Sequence, residues 1–297
     1  MRRLLLILAL CGATVASALF LGAPRAMRPQ NSPSSAFAPG GKRFSRADDW
    51  KTVAPGVSMR RFQTREDGMT IPIVALRVAP SRIHIATLGG ATNSASTSDA
   101  NASSGSSFDA TVAGTNALDA SEWRRKTGAV AAINGGFFTP SGQSLGLRMS
   151  RRRETSALRA AEWGVFYVRR GSARILHTTD WKKRAQSRRA QGVLVADEAI
   201  QCGPRLVVAG QTVKLKPQWA RRTGIGLQSD GKVIVAISES EMSFQAWAAL
   251  WASPAGLNCR DALNLDGGGS TQISVASSSQ SVEVGGLWPV PDAVVIK

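Results

Sequence analysis

Histidine and tyrosine are nearly missing from this 297-residue chain, which has two of the first and one of the second. Two histidines exclude a histidine-rich metal site. Acidic residues are also scarce, 20 against 37 lysines and arginines, so the formal net charge is +17. Such an excess points to anionic surroundings: wall polymers, anionic lipid headgroups or phosphorylated glycans. No recognised nucleic-acid-binding motif accompanies the charge, and no nucleic-acid partner is expected. No internal repeat is evident. What the chain does have is apolar residues, 43% of the total, enough for a substantial core.

Residues 1–21 carry the pattern of an export signal. Arg2 and Arg3 precede the run Leu4-Leu5-Leu6-Ile7-Leu8-Ala9-Leu10, and Ala16-Ser17-Ala18 offers a cleavage site. The charge-free stretch 4–21 is also long enough to span a bilayer, so an N-terminal anchor is the alternative, and any membrane contact is expected only there. The expected location is exported: periplasmic or extracellular. Residues 22–49 read as a flexible linker rich in Pro, Ser and Ala. One domain is expected over 50–297, interrupted by a Ser/Thr/Ala/Gly insertion at 89–114.

Within that domain short apolar runs alternate with turn residues. Strands are expected near 53–62, 71–78, 82–87, 129–134, 163–168, 173–178, 224–228, 232–237, 262–265, 272–275, 282–284 and 293–296. Helices are expected at 122–126, capped by Asp119 or Ser121, at 181–190, and at 244–251 behind Ser243. The fold class is therefore α+β, with a largely antiparallel or mixed sheet and a few helices.

Two of the buried strands end in a polar residue followed by glycines: Asn134-Gly135-Gly136-Phe137-Phe138 and Asn264-Leu265-Asp266-Gly267-Gly268-Gly269-Ser270-Thr271. Three successive glycines are costly to fold and exceed what a hairpin needs. They predict close backbone approach to a ligand, with amide N–H groups facing an anion or an oxygen-rich group. Together with Gly203-Pro204-Arg205-Leu206 and Arg221-Arg222-Thr223-Gly224-Ile225-Gly226, in that order, these motifs resemble the phosphodiester glycosidase family over residues 119–295.

The resemblance implies a hydrolase acting on a sugar-1-phosphodiester, with Asp266 in the active site. Glycoside hydrolysis usually employs two carboxylates. Glu239, at the end of the 232–237 strand, is the second candidate. A phosphate leaving group needs guanidinium forks and backbone donors, a role that fits Arg205 and Arg222, whereas Arg221 is expected to face solvent. Asn134, with Gly135 and Gly136, and the Gly267, Gly268, Gly269, Ser270, Thr271 cradle are expected to bind substrate. No cofactor is expected, although Asp266 with Asn134 could hold a hard cation such as Ca²⁺. Cys202 and Cys259, each just ahead of a motif, are expected to form a disulfide; the alternative is two buried free thiols.

Family members commonly carry an arginine near the C-terminus, where this chain has Leu287-Trp288-Pro289-Val290-Pro291-Asp292-Ala293. The expected function is an exported hydrolase of a sugar phosphodiester or related bond in envelope or extracellular glycans. The alternative is a non-catalytic envelope module that binds anionic glycan.

Overall fold

The strand Val233–Ser238 is buried at every position, where a strand with one wet face would alternate. Its side chains divide between two cores. Val233, Val235 and Ile237 face a central core, while Ile234 and Ala236 face a second one under a helix. The structure, a computed structural model, describes residues 49–88, 117–277 and 280–297. The export signal, the linker up to residue 48 and the 89–114 insertion lie outside the described residues.

Three sheets surround the central core, and every strand pairing among the described residues is antiparallel. The large sheet runs Lys51–Ala54, Val57–Glu66, Met69–Val78, Val233–Ser238, Thr223–Gln228, Cys259–Asn264, Arg205–Val208, Gln211–Thr212. A first small sheet runs Arg153–Ser156, Arg148–Ser150, Glu198–Cys202, Gly164–Arg169, Ser172–His177. A second runs Ser281–Val284, Ile273–Ala276, Ala131–Asn134, Asp292–Ile296, Ile83–Thr87. The expected α+β class holds in a coarse form: strands dominate, with three α-helices among the described residues.

Each sheet gives its inner face to the shared core and covers its outer face with one helix. Helix α1, Ala120–Thr127, lays Trp123 on Ala132, Ala293 and Val295 of the second small sheet. Helix α2, Thr178–Ala190, lays Trp181 and Ala185 on Val165, Tyr167 and Ala199 of the first. Helix α3, Phe244–Ala252, packs Trp247 and Trp251 on the large sheet, their rings edge-on at 5.3 Å. The large sheet makes room for α3 with Gly224 and Gly226. A methyl on either would lie 2.7 or 2.8 Å from the Trp251 indole.

The expected caps of α1 and α3 form, whereas α2 starts three residues earlier than expected, at Thr178, capped by His177. Asp119 and Glu122 form a capping box on α1, Gly128 closes it at φ +63, and Ser243 caps α3. The first expected strand is instead a hairpin, because Pro55 and Gly56 turn the chain between Ala54 and Val57. The strands Arg148–Ser150 and Arg153–Ser156 were not expected. Arg151 and Arg152 form their left-handed turn.

The expected disulfide is absent. Cys202 and Cys259 are separate free thiols. Cys202 sits in the central core and Cys259 under α3, so the large sheet lies between them. Burial raises the pKa of both thiols, that of Cys202 to about 12.

Candidate active site

Asp266 follows the strand Cys259–Asn264 and is half-buried, with its neighbours Gly267 and Gly268 also partly exposed. Its carboxyl accepts the Gly267 N–H at 3.0 Å and a hydrogen bond from the Ser270 hydroxyl. Desolvation is the largest influence on it and lifts its pKa from 3.8 to about 6. The two hydrogen bonds pull the other way; then Asp292 raises the pKa and Arg148 lowers it.

Those last two residues are the part of the site that sequence reasoning missed. Arg148 and Asp292 form an ion pair at 2.9 Å, both side chains fully buried. Asp292 also accepts the Gly136 N–H at 2.9 Å and the Ser144 hydroxyl at 2.6 Å. Arg148 donates to the carbonyls of Phe137, Leu147 and Gln201 at 3.0–3.1 Å. A pair so saturated offsets the desolvation of its charges. It also explains Gly135 and Gly136: a methyl on the first would lie 1.8 Å from Asp292 Oδ1, and on the second 2.4 Å from Arg148 Nη2. These glycines make room for an internal ion pair. The sequence signal was present in the lone charges Arg148 and Asp292, each set among apolar strand residues.

Asn134 is likewise turned inward. It is fully buried; its Nδ2 donates to the Asp266 carbonyl at 2.8 Å, and its Oδ1 accepts from Thr223 Oγ1 at 2.9 Å and Gln272 N at 3.2 Å. It joins three strand ends and offers no oxygen to a substrate or to a cation beside Asp266. Thr271, fully buried, accepts from Thr223 Oγ1 at 3.3 Å and has the same tying role. Ser270 is buried between Asp266 and the Trp288 indole N–H, which donates to it at 3.0 Å. It orients the carboxyl.

The glycine cradle does not present the free amides that were expected. Gly267 N–H is used by Asp266, Gly268 N–H by the Arg221 carbonyl at 2.8 Å, Ser270 N–H by Gly267 and Thr271 N–H by Gly268, both at 3.2 Å. Gly268 has φ +59 with open space where a side chain would sit, and Gly269 lies under the Trp288 ring.

The arginines change places relative to expectation. Arg222 is buried, donates to the Met242 and Gln218 carbonyls, and sits 3.6 Å from the centre of the Phe244 ring. Desolvation pushes its pKa down to about 10, against Glu66 and Glu241, which raise it. It anchors the start of α3, and its side-chain contacts there do not include Asp266. Its neighbour Arg221 is the one at the glycine loop: its carbonyl holds Gly268, and its guanidinium donates twice to the Gly285 carbonyl at 3.1 Å. Arg205 lies opposite Leu263 on the adjacent strand, half-exposed, its side chain with no hydrogen-bond or ion-pair partner among the described residues. Glu239 is paired with Arg61 at 2.9 Å and influences Arg221. The carboxylate whose charge reaches Asp266 is Asp292.

Phe137 and Trp163, half-buried with ring centres 5.1 Å apart, flank this region, and Trp163 covers Gly203 just ahead of Pro204 and Arg205. A cavity of about 260 Å³, lined in part by Gln272, Gly286 and Trp288, does not include Asp266.

The fold is similar to that of zebrafish N-acetylglucosamine-1-phosphodiester alpha-N-acetylglucosaminidase, whose catalytic domain was solved auto-inhibited by its pro-peptide. The TM-score is 0.59 at 15% identity, covering 84% of this chain and 85% of that one. A hypothetical protein from Synechocystis (TM-score 0.51, 14% identity, 82% of this chain and 62% of that one) has a similar fold. So does a protein from Burkholderia pseudomallei described as exported (0.51, 13%, 78% and 75%). No curated protein sequence matches the chain. The sequence profile of the phosphodiester glycosidase family matches residues 127–297, more than half of the chain and all the glycine motifs above, and the chain therefore belongs to that family.

Proposed function

We propose that this protein is an exported hydrolase that cleaves a glycosyl-1-phosphodiester, or a closely related glycosidic bond, in envelope or extracellular glycans. The observation that carries the reading is Asp266: a half-buried carboxyl with a pKa raised to about 6, beside a fixed buried ion pair. A carboxyl poised near neutrality can give or take a proton during turnover, which ordinary surface carboxylates do poorly. Ser270 and the Gly267 amide orient it.

In the proposed reaction the bond between the anomeric carbon and the phosphate oxygen breaks, water supplies the new hydroxyl, and the phosphate leaves as an anion. Arg205 supplies the positive charge that the departing phosphate needs, since no carboxylate among the described residues neutralises it. Phe137 and Trp163 offer aromatic faces to the sugar ring. Export is supported by the leader pattern at 1–21 and the positive charge. A module that only binds anionic glycan is less well supported, because four of the loop's amides are already used within the chain.

The test is release of free sugar from a panel of sugar-1-phosphodiesters by the full chain, beside D266N and R205Q. The expected result is turnover that D266N abolishes and R205Q reduces about a hundredfold. Turnover unchanged in D266N sinks the assignment.

A further inference from the structure

The first small sheet carries on its outer face a group of charges that the Asp266 site does not use. Arg169, at the end of the Gly164–Arg169 strand, donates through Nε to the Leu194 carbonyl at 3.2 Å. Arg188, on the last turn of α2, donates through Nε to the same oxygen at 2.7 Å. One carbonyl thus fixes two guanidinium groups side by side. Neither has a carboxylate partner among the described residues, nor do the side chains of Arg170 and Arg184. Asp180, one turn before Arg184, makes no ion pair among the described residues, and Asp197 is spent on Arg152 and the Arg170 N–H.

Two buried polar atoms in this group lack hydrogen-bond partners. The Tyr167 hydroxyl is one, on a side chain that is 2% exposed, and Arg184 Nε is the other. Arg184 Cζ lies 5.6 Å from the Tyr167 ring centre, and the charges acting on Arg188 include Arg169, Arg184, Arg170 and Tyr167. Burial and then repulsion from the three arginines lower the Arg188 pKa. Arg170 occupies a left-handed hairpin position, φ +49, that Asn or Gly would fill more cheaply. Taken alone, such an arrangement is unfavourable: four like charges gather at one hairpin turn and along α2, with unsatisfied donors among them.

We infer that Arg169, Arg170, Arg184, Arg188 and Tyr167 form a second site that binds a phosphoryl group, separate from Asp266. The held guanidinium groups keep their remaining N–H bonds free for a tetrahedral oxyanion, the geometry in which arginine exceeds lysine. The phenol hydroxyl and Arg184 Nε supply two further donors. The group can come from a soluble phosphate or from a phospholipid headgroup.

Inorganic phosphate is titrated into the full chain at constant ionic strength and followed by calorimetry and ³¹P NMR. R169Q/R188Q is expected to weaken binding more than tenfold, at about tenfold for each charge-assisted hydrogen bond removed. Tyr167→Phe, which leaves the fold's apolar contacts intact, should weaken it a few-fold. K182Q/K183Q, which removes two exposed charges from the same helix, should change it little. Absence of phosphate binding overturns the inference, as does equal weakening by the lysine pair, which would mean diffuse charge alone. Tyr167→Phe without effect removes the phenol from the site and overturns that part. Co-sedimentation with phosphatidylglycerol vesicles, against phosphatidylcholine, separates the sources. Capture that R169Q/R188Q abolishes and free phosphate competes away marks a headgroup; no capture beside intact phosphate binding marks a soluble phosphoryl ligand.

Discussion

Replacing Asp266 by Asn should make the protein more stable, and the gain should depend on pH. The Asp266 pKa is 3.8 in a free chain and about 6 in the fold. The native state therefore binds the proton more tightly than the unfolded state. The sign follows: the stabilisation from the protonated carboxyl is full below pH 3.8, and is lost as pH rises through about 6. Asparagine mimics the protonated form at every pH. Its Oδ1 still accepts the Gly267 N–H, and its Nδ2 can donate to Ser270 Oγ once that hydroxyl rotates. At about 1.4 kcal/mol per pKa unit the ceiling is about 3 kcal/mol at pH 7, and the group's partial exposure lowers it to about 2. For a domain of this size that is a rise in Tm of about 4–8 °C. The assay is thermal unfolding of both proteins from pH 3.5 to 8. The two curves should meet near pH 4, separate up to about pH 6 and then run parallel. A D266N protein less stable at pH 7, or a difference independent of pH, would refute the reasoning.

Asp292→Asn leaves Arg148 buried beside an amide that cannot neutralise it, and should cost about 3–5 kcal/mol, read as a lower denaturation midpoint; a loss under about 1 kcal/mol would show the pair is not buried as described. Gly226→Ala should destabilise by about 1–3 kcal/mol through the Trp251 indole, whereas Gly268→Ala, with open space but φ +59, should cost about 1 kcal/mol. Equal losses in the two variants would contradict that distinction. The thiols of Cys202 and Cys259 should resist a thiol reagent until the protein unfolds, because burial raises both pKa values; prompt labelling of either in native buffer would contradict it.

Much of this fold could be read from local sequence. The neighbouring strands at 224–228 and 232–237, the Asp119 cap and the Ser243 cap are decided by residues within a few positions of one another, and they formed as expected. The site was harder to read because its decisive contacts are long-range. Arg148 meets Asp292 across 144 positions, and neither is marked by a glycine motif of its own. Arg221 and Arg222 are adjacent, yet one reaches the glycine loop and the other anchors α3, because successive extended residues point to opposite faces. The same limit defeated the disulfide: position along the chain does not say which face of the large sheet a cysteine occupies. The glycines that suggested a ligand make room for a guanidinium, a carboxylate and an indole, neighbours that lie far off in the sequence.

The strand Asp292–Ile296, close to the end of this sequence, occupies an interior position of its sheet, between Ala131–Asn134 and Ile83–Thr87. It also carries the carboxylate that completes the pair beside Asp266. During vectorial synthesis, therefore, the second small sheet cannot close, nor Arg148 find its counter-charge, until residues 292–296 have emerged, long after Ile83–Thr87 and Ala131–Asn134. Closure thus waits on a strand made long after its partners, which suits the export proposed above, since a polypeptide threaded through a translocation pore must stay unfolded until it has crossed.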